Sequence, residues 1–131
     1  MKLLTRDTDY AIRALVCISR GASELVTVKQ LTQQLKIPRP FLRKILQCMN
    51  KAGILRSYKG KGGGFSMAQS SRNIPIFDVM VIFQGEFKVM EHVFKKEACC
   101  KVKMCELKKK IDKIETNLVA ELKKINISDL C

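Results

Sequence analysis

The stretch from Thr27 to Met67 constrains this chain most; it reads TVKQLTQQLKIPRPFLRKILQCMNKAGILRSYKGKGGGFSM. Thr27 is a good N-cap, and Gln30 follows at the spacing of a capping box. Val28, Leu31 and Leu35 then form one apolar stripe at helical period. Lys36-Ile37-Pro38 stops that helix, because the residue before a proline is pushed away from helical angles. Pro40 suits the first turn of a second helix, where its missing N–H costs nothing. Phe41, Leu42, Ile45, Leu46 and Met49 make that helix's expected buried face; Arg39, Arg43, Lys44, Gln47 and Lys51 lie mostly opposite. Gly53 ends it as a C′ residue.

A hairpin follows. Ile54 to Tyr58 reads as a strand, Lys59 to Gly64 as a turn, and Phe65 to Met67 as the returning strand. Four glycines (Gly60, Gly62, Gly63 and Gly64) permit positive φ and close backbone approach. A flexible linker is also glycine-rich, but this run is short and flanked by apolar strand-like residues. Two short helices, a tight turn and a basic hairpin make a winged helix-turn-helix, which holds one helix in the major groove of DNA. Arg and Gln pair with base edges and Lys reaches phosphates. The candidate DNA contacts are therefore Arg39, Arg43, Lys44 and Gln47 on the second helix, with Thr27 and Pro40 at the helix starts. Arg56, Lys59, Lys61 and Gly62 are the candidates in the wing. A charged outer face taken alone is also what a solvated amphipathic helix carries.

The whole chain agrees with this reading. Its 131 residues suit one domain with an appended helix. Twenty-five basic against 12 acidic residues leave a net charge of +13, which favours polyanionic partners, nucleic acid before an anionic membrane surface. No apolar run approaches a membrane span, and Met1 to Tyr10 has no signal-peptide core, so a cytoplasmic location is expected. In that compartment the six cysteines point to metal or redox chemistry rather than to a disulfide framework. The fold class is thus mainly α with a small β-hairpin wing: a winged helix-turn-helix plus a long C-terminal dimerisation helix.

Before the reader helices, Thr5 to Arg20 reads as a helix with Ala11, Ala14, Leu15 and Ile18 inward and Gly21 as its stop. Asp7 and Asp9 favour its dipole, and Cys17 reads as a small buried residue. Leu25-Val26 is a short extended piece. After the wing, Pro75 opens a helix through Ile76, Val79, Met80, Ile82 and Phe83 that stops near Gly85; Phe87 to Met90 is either strand or loop. From Glu106 to Ile125 the residues Leu107, Ile111, Ile114, Leu118, Leu122 and Ile125 form a heptad-like stripe. Its expected cover is the same helix of a second subunit; packing back onto its own domain is the other possibility. Ile127 and Leu130 in the tail are placed to dock on such a dimer. The expected divisions are 1–84 for DNA binding, 85–105 for a cysteine-containing sensor loop, and 106–131 for the dimerisation helix and tail.

That loop holds Cys99, Cys100 and Cys105, with the chain's single histidine, His92, just upstream. Thiolates close together among lysines have lowered pKa values and bind metals well. Sulfur ligands suit iron–sulfur clusters or zinc, and a metal-free dithiol sensor uses the same residues. The spacing matches no recognised zinc pattern, so it does not choose the metal. Nothing in the chain reads as a phosphate loop, a nucleophile elbow or a paired-carboxylate site, and no enzyme is expected.

Together these residues resemble the iron–sulfur-cluster regulator superfamily of winged-helix transcription factors, which includes the IscR, NsrR and CymR types. The resemblance rests on Thr8-Asp9-Tyr10-Ala11, the Thr27–Gly53 helices, the wing from Gly60 to Phe65, the cysteine loop, the long helix and the closing Ile-Ser-Asp-Leu. It implies a homodimeric regulator, often a repressor, on a palindromic double-stranded DNA operator. It also implies a 2Fe–2S or 4Fe–4S cluster on three loop cysteines and a variable fourth ligand, whose state, altered by redox, nitric oxide or iron supply, sets DNA binding. By position Cys99 and Cys105 match the second and third family cysteines, while the first is missing from its place near Val93. Either His92 substitutes for it, or Cys100 joins Cys99 and Cys105. Asp9 falls where some members take an acidic ligand from the partner subunit's first helix. Histidine ligation is established on 2Fe–2S centres, which favours that type. A cluster-free thiol-redox or zinc-sensing regulator of the same fold is the alternative, and a redox enzyme or cluster carrier ranks last.

Overall fold

The computed structural model describes residues 2–21, 25–89 and 102–131, with only the backbone of 102–105. The loop candidates His92, Cys99 and Cys100 lie outside the described residues, as does the side chain of Cys105.

Helix α1 (Arg6–Arg20) starts at Thr5, whose hydroxyl caps the Thr8 N–H, and buries Thr8, Ala11, Ala14, Leu15 and Ile18. Helix α2 (Val28–Leu35) begins with the expected capping box: Thr27 accepts from the Gln30 N–H at 3.1 Å, and the Gln30 side chain accepts from the Thr27 N–H at 2.9 Å. Lys36 turns the chain in the left-handed region (φ 55°), Ile37 drops into the core, and Pro38 caps α3 (Arg39–Lys51). Leu42, Ile45, Leu46 and Met49 are buried, at the i, i+3, i+4, i+7 spacing that fills one helix face. Phe41 departs from its expected place on that face: it is 52% exposed. One residue is about 100° of helix rotation, which carries Phe41 off a stripe its neighbours already fill.

Strands β1 (Leu55–Tyr58) and β2 (Gly64–Met67) pair antiparallel, with Leu55 opposite Met67 and Tyr58 opposite Gly64. Val26 adds a third rung: its N–H donates to the Phe65 carbonyl at 2.9 Å, and the Phe65 N–H donates back at 2.8 Å. The wing is thereby fastened to the start of α2. Each pair of wing glycines has its reason. Gly60 and Gly62 adopt positive φ (93° and 77°), while a side chain at Gly63 or Gly64 would strike the backbone of Tyr58 or Val26.

A 3-10 turn (Ser71–Asn73) leads to α4 (Ile76–Gln84), which Pro75 opens and Gly85 ends with φ 73° and ψ −155°, a region nearly closed to other residues. Residues 86–89 are neither helix nor strand. Phe87 meets Phe77 edge-on at 6.1 Å, and the Val89 N–H donates to the Glu115 carboxylate at 2.8 Å.

Helix α5 (Val102–Lys124) is about 35 Å long at the standard helical rise. It begins earlier than Glu106, since nothing in Val102 to Cys105 breaks a helix, so Cys105 stands on α5 rather than in a loop. Its last turn belongs to the core: Leu122 is buried, and the Ile125 carbonyl accepts from the Ile76 N–H at 2.8 Å. A closing 3-10 turn (Ile127–Leu130) follows, with the Ile127 N–H on the Ile74 carbonyl at 2.9 Å. Ile127 is fully buried within its own domain rather than offered to a partner, whereas Leu130 is 43% exposed. Farther up α5, Leu107 and Ile114 stand exposed while Ile111 and Leu118 are half-buried. No described helix is long and apolar enough to cross a membrane.

Candidate nucleic-acid interface

Helix α3 turns its polar side toward the wing, and between them lies an open cleft of about 450 Å³. Arg39, Arg43 and Gln47, spaced one turn apart, form one wall. The wing supplies the other with Ser57, Tyr58, Lys59 and the backbone of its glycines, and Thr27, Val28 and Lys29 close the end with the first turn of α2. That turn brings the positive end of a helix dipole to a site already rich in cations.

Of the residues expected from the sequence, the cleft gathers Thr27, Arg39, Arg43, Gln47 and Lys59. Pro40, Lys44, Arg56, Lys61 and Gly62 are exposed but do not line it. Arg56 stands on β1, and Lys61 and Gly62 lie in the hairpin turn. Lys44 lies farther round α3 than Arg43, on the side away from the wing. Lys29 and Tyr58 line the cleft although the sequence reading passed over both. Lys29 was legible in hindsight, because it sits in the first turn next to the capping box. Tyr58 carries no local signal beyond being the last residue of its strand.

The electrostatics of this face are one-sided. From Leu25 to Phe77 the chain has no Asp or Glu, yet it carries Lys29, Lys36, Arg39, Arg43, Lys44, Lys51, Arg56, Lys59, Lys61 and Arg72. Among the described residues every ion pair lies elsewhere, on α1, α5 or the segment between α4 and α5. Such a surface concentrates anions, and its fork-shaped arginine donors match phosphate or guanine edges.

Of the candidate metal ligands, Asp9 is the one whose side chain is described. It lies on the outer side of α1, 43% exposed, and both its oxygens accept from Arg13 Nε at 3.1 Å. No cluster of three potential metal-binding side chains occurs among the described residues. Cys17, Cys48 and Cys131 are free thiols.

Known proteins resemble this chain in sequence and fold. An HTH-type transcriptional regulator of Aquifex aeolicus is 38% identical over 79 residues, 60% of this chain; the chain spans 55% of that protein's length. The HTH-type transcriptional regulator NsrR of Bacillus subtilis is 26% identical over 129 residues, covering 97% of this chain and 88% of NsrR. Both are named for transcription regulation and neither as an enzyme. The solved structure of T. potens IscR superposes with a TM-score of 0.75 at 20% identity, covering 99% of this chain and 85% of that one. The model of the Rrf2 family, described as an iron-dependent transcriptional regulator, matches residues 4–131, and the chain belongs to that family.

Proposed function

We propose that this protein is a homodimeric repressor that reads a palindromic operator with α3 and its wing, and that a redox-active iron–sulfur cluster on residues 92–105 governs its grip on DNA. The observation that carries the DNA reading is the cleft between α3 and the wing, lined by Arg39, Arg43, Gln47 and Lys59 on a face without acidic residues. Arg39, Arg43 and Gln47 face base edges; Lys29, Lys44, Arg56, Lys59 and Lys61 hold the flanking backbone. The dimer reading is supported by Leu107 and Ile114, exposed apolar residues on one helix that a second copy would cover. Such a protein works on DNA in the cytoplasm.

The donor set fits a cluster in its chemistry. Cys99, Cys100 and Cys105 would supply soft thiolates and His92 an imidazole, and Asp9, which is partly exposed and pairs with Arg13, would supply an oxygen donor. A bound cluster supplies a centre that changes charge or breaks down with oxidant, nitric oxide or iron supply. The protein's own residues do the remaining work. The thiolates would hold the centre at a point in the sequence between the reader domain and the body of α5.

Two measurements test the proposal. Anaerobic purification followed by iron and sulfide analysis should give a brown protein that Cys105→Ala bleaches; a colourless protein that reconstitution leaves colourless turns the reading to a thiol or zinc sensor. Operator duplexes selected in vitro should bind with log-affinity falling linearly in log salt at a slope of about −0.9 per neutralised phosphate. Binding insensitive to salt would refute the DNA reading.

A further inference from the structure

Phe41 is the anomaly on the reader helix. The core beneath α3 is complete without it: Leu42 and Leu46 are 0% exposed and Ile45 is 3% exposed, while Phe41 keeps 52% of its surface in water. It sits in the first turn of α3, flanked by Pro40 and Leu42, on the end of the helix that carries Arg39 and Arg43. In helix-turn-helix proteins the N-terminal residues of the recognition helix contact the base edges.

Helical spacing divides the outer surface of α3 into two rows. Arg39, Arg43 and Gln47, four residues apart, face the cleft and the wing. Phe41 and Lys44, three apart, form a second row on the flank away from the wing. A charged helix entering the major groove therefore presents one apolar side chain in its leading turn. The apolar feature that base edges offer there is the C5-methyl group of thymine. The surroundings of Phe41 select the same partner. Lys44 stands one turn along from it, Arg39 and Arg43 lie on the other flank of the same helix, and no carboxylate occurs between Leu25 and Phe77. An apolar residue exposed on a helix whose charged side chains are all cations matches a polyanion with apolar spots better than it matches an apolar protein surface.

We propose that Phe41 is a specificity-determining residue that packs against a thymine methyl in each operator half-site, with Lys44 on the adjacent phosphate. The inference rests on the DNA-binding reading above and adds the base class read by this second row.

The test uses the full chain and an operator selected in vitro. Each thymine is replaced singly by uracil, which removes the methyl and leaves base pairing unchanged, and affinity is read by fluorescence anisotropy. One thymine per half-site should lose about fourfold when demethylated, the value of burying one methyl group. Phe41→Ala should bind the parent operator more weakly and show no further loss at that same position, while keeping any dependence on other thymines. Phe41→Leu should retain part of the methyl dependence. A wild-type protein indifferent to every uracil substitution, or a Phe41→Ala variant that keeps the full dependence, overturns the inference and leaves the DNA reading intact. If Phe41→Ala instead lowers the dimer's mass in sedimentation, a second copy is the occupant and the inference fails. Failure of any duplex to bind refutes both readings.

Discussion

Replacing Ile127 by alanine tests whether the end of the chain is part of the reader domain's core. Ile127 is fully buried, and its N–H is bonded to the Ile74 carbonyl at 2.9 Å. The Ile76 N–H to the Ile125 carbonyl at 2.8 Å completes an antiparallel clip between the start of α4 and the end of α5. Truncating such a side chain removes its transfer free energy and leaves a cavity, together costing about 2–5 kcal/mol. Unfolding entropy runs at about 2.1 cal/mol/K per residue near 60 °C, so 131 residues give roughly 0.28 kcal/mol/K. The expected fall in Tm is therefore about 7–18 °C. Leu130, three residues on and 43% exposed, is the control, and Leu130→Ala should move Tm by no more than about 2 °C. Calorimetry or circular dichroism melts at two protein concentrations read the result. Because Ile127 packs within its own chain, the difference from wild type should hold on an about fiftyfold dilution; a side chain docked on a partner would give a dilution-dependent difference. An Ile127→Ala melt indistinguishable from that of Leu130→Ala would refute the placement of the tail.

Gly64→Ala puts a Cβ 2.7 Å from the Val26 carbonyl oxygen, so the wing must leave α2; DNA affinity should fall at least about tenfold with helical content unchanged. Gly62→Asn, at positive φ with nothing within 4 Å, should melt almost as wild type, since asparagine tolerates that conformation. Gln84→Leu removes the acceptor for the Thr8 hydroxyl (2.6 Å) and the Thr5 N–H (3.1 Å) and the donor to the Leu3 carbonyl. Thr8 is 0% exposed, so denaturant melts should show a loss of about 1–3 kcal/mol. A melt unchanged by Gln84→Leu would show that this link is replaced by water.

What the sequence disclosed follows from how local each signal is. Thr27 with Gln30, Pro38 before α3 and Gly85 after α4 act within a turn of themselves, and each stands where its chemistry predicts. The third rung of the wing was hidden because Val26 and Phe65 are joined only through the fold; the short extended piece at Leu25-Val26 was visible, its partner was not. Ile127 and Phe41 were misplaced for a shared reason. An apolar residue beside a stripe is assigned to the nearest surface in sequence, whereas burial depends on how much room neighbouring elements leave. Five of the ten expected DNA contacts line the cleft, and those that do not lie in the turn, on β1 or on another side of α3. Distinguishing these positions requires the angle between helix and hairpin, which no local pattern encodes. The sequence could not choose between a cluster, zinc and no metal, since Cys99, Cys100, Cys105 and His92 satisfy iron–sulfur, zinc and dithiol chemistry alike.

The segments on either side of residues 92–105 bear on how a signal there would reach DNA. On the near side α4 ends at Gln84, whose side chain bonds the Thr8 hydroxyl and the backbone of Leu3 and Thr5 at the start of α1. The next few residues are held as well, with Phe87 against Phe77 and the Val89 N–H on Glu115, about midway along α5. On the far side α5 is anchored through Leu122 and the Ile125–Ile76 bond at its C-terminal end, while Leu107 and Ile114 toward its other end stay exposed. Under the proposed regulation, a change at residues 92–105 meets two unequal resistances. Among the described residues the α1–α4 side is clamped by one part-buried and two exposed hydrogen bonds from Gln84, whereas Leu107 and Ile114 on α5 stand exposed. Motion therefore goes to the part of α5 proposed to meet the second subunit. Such a shift changes the spacing of the two α3 helices while each reader domain stays rigid. A palindromic site is sensitive to that variable, because its two half-sites must be met at a fixed separation.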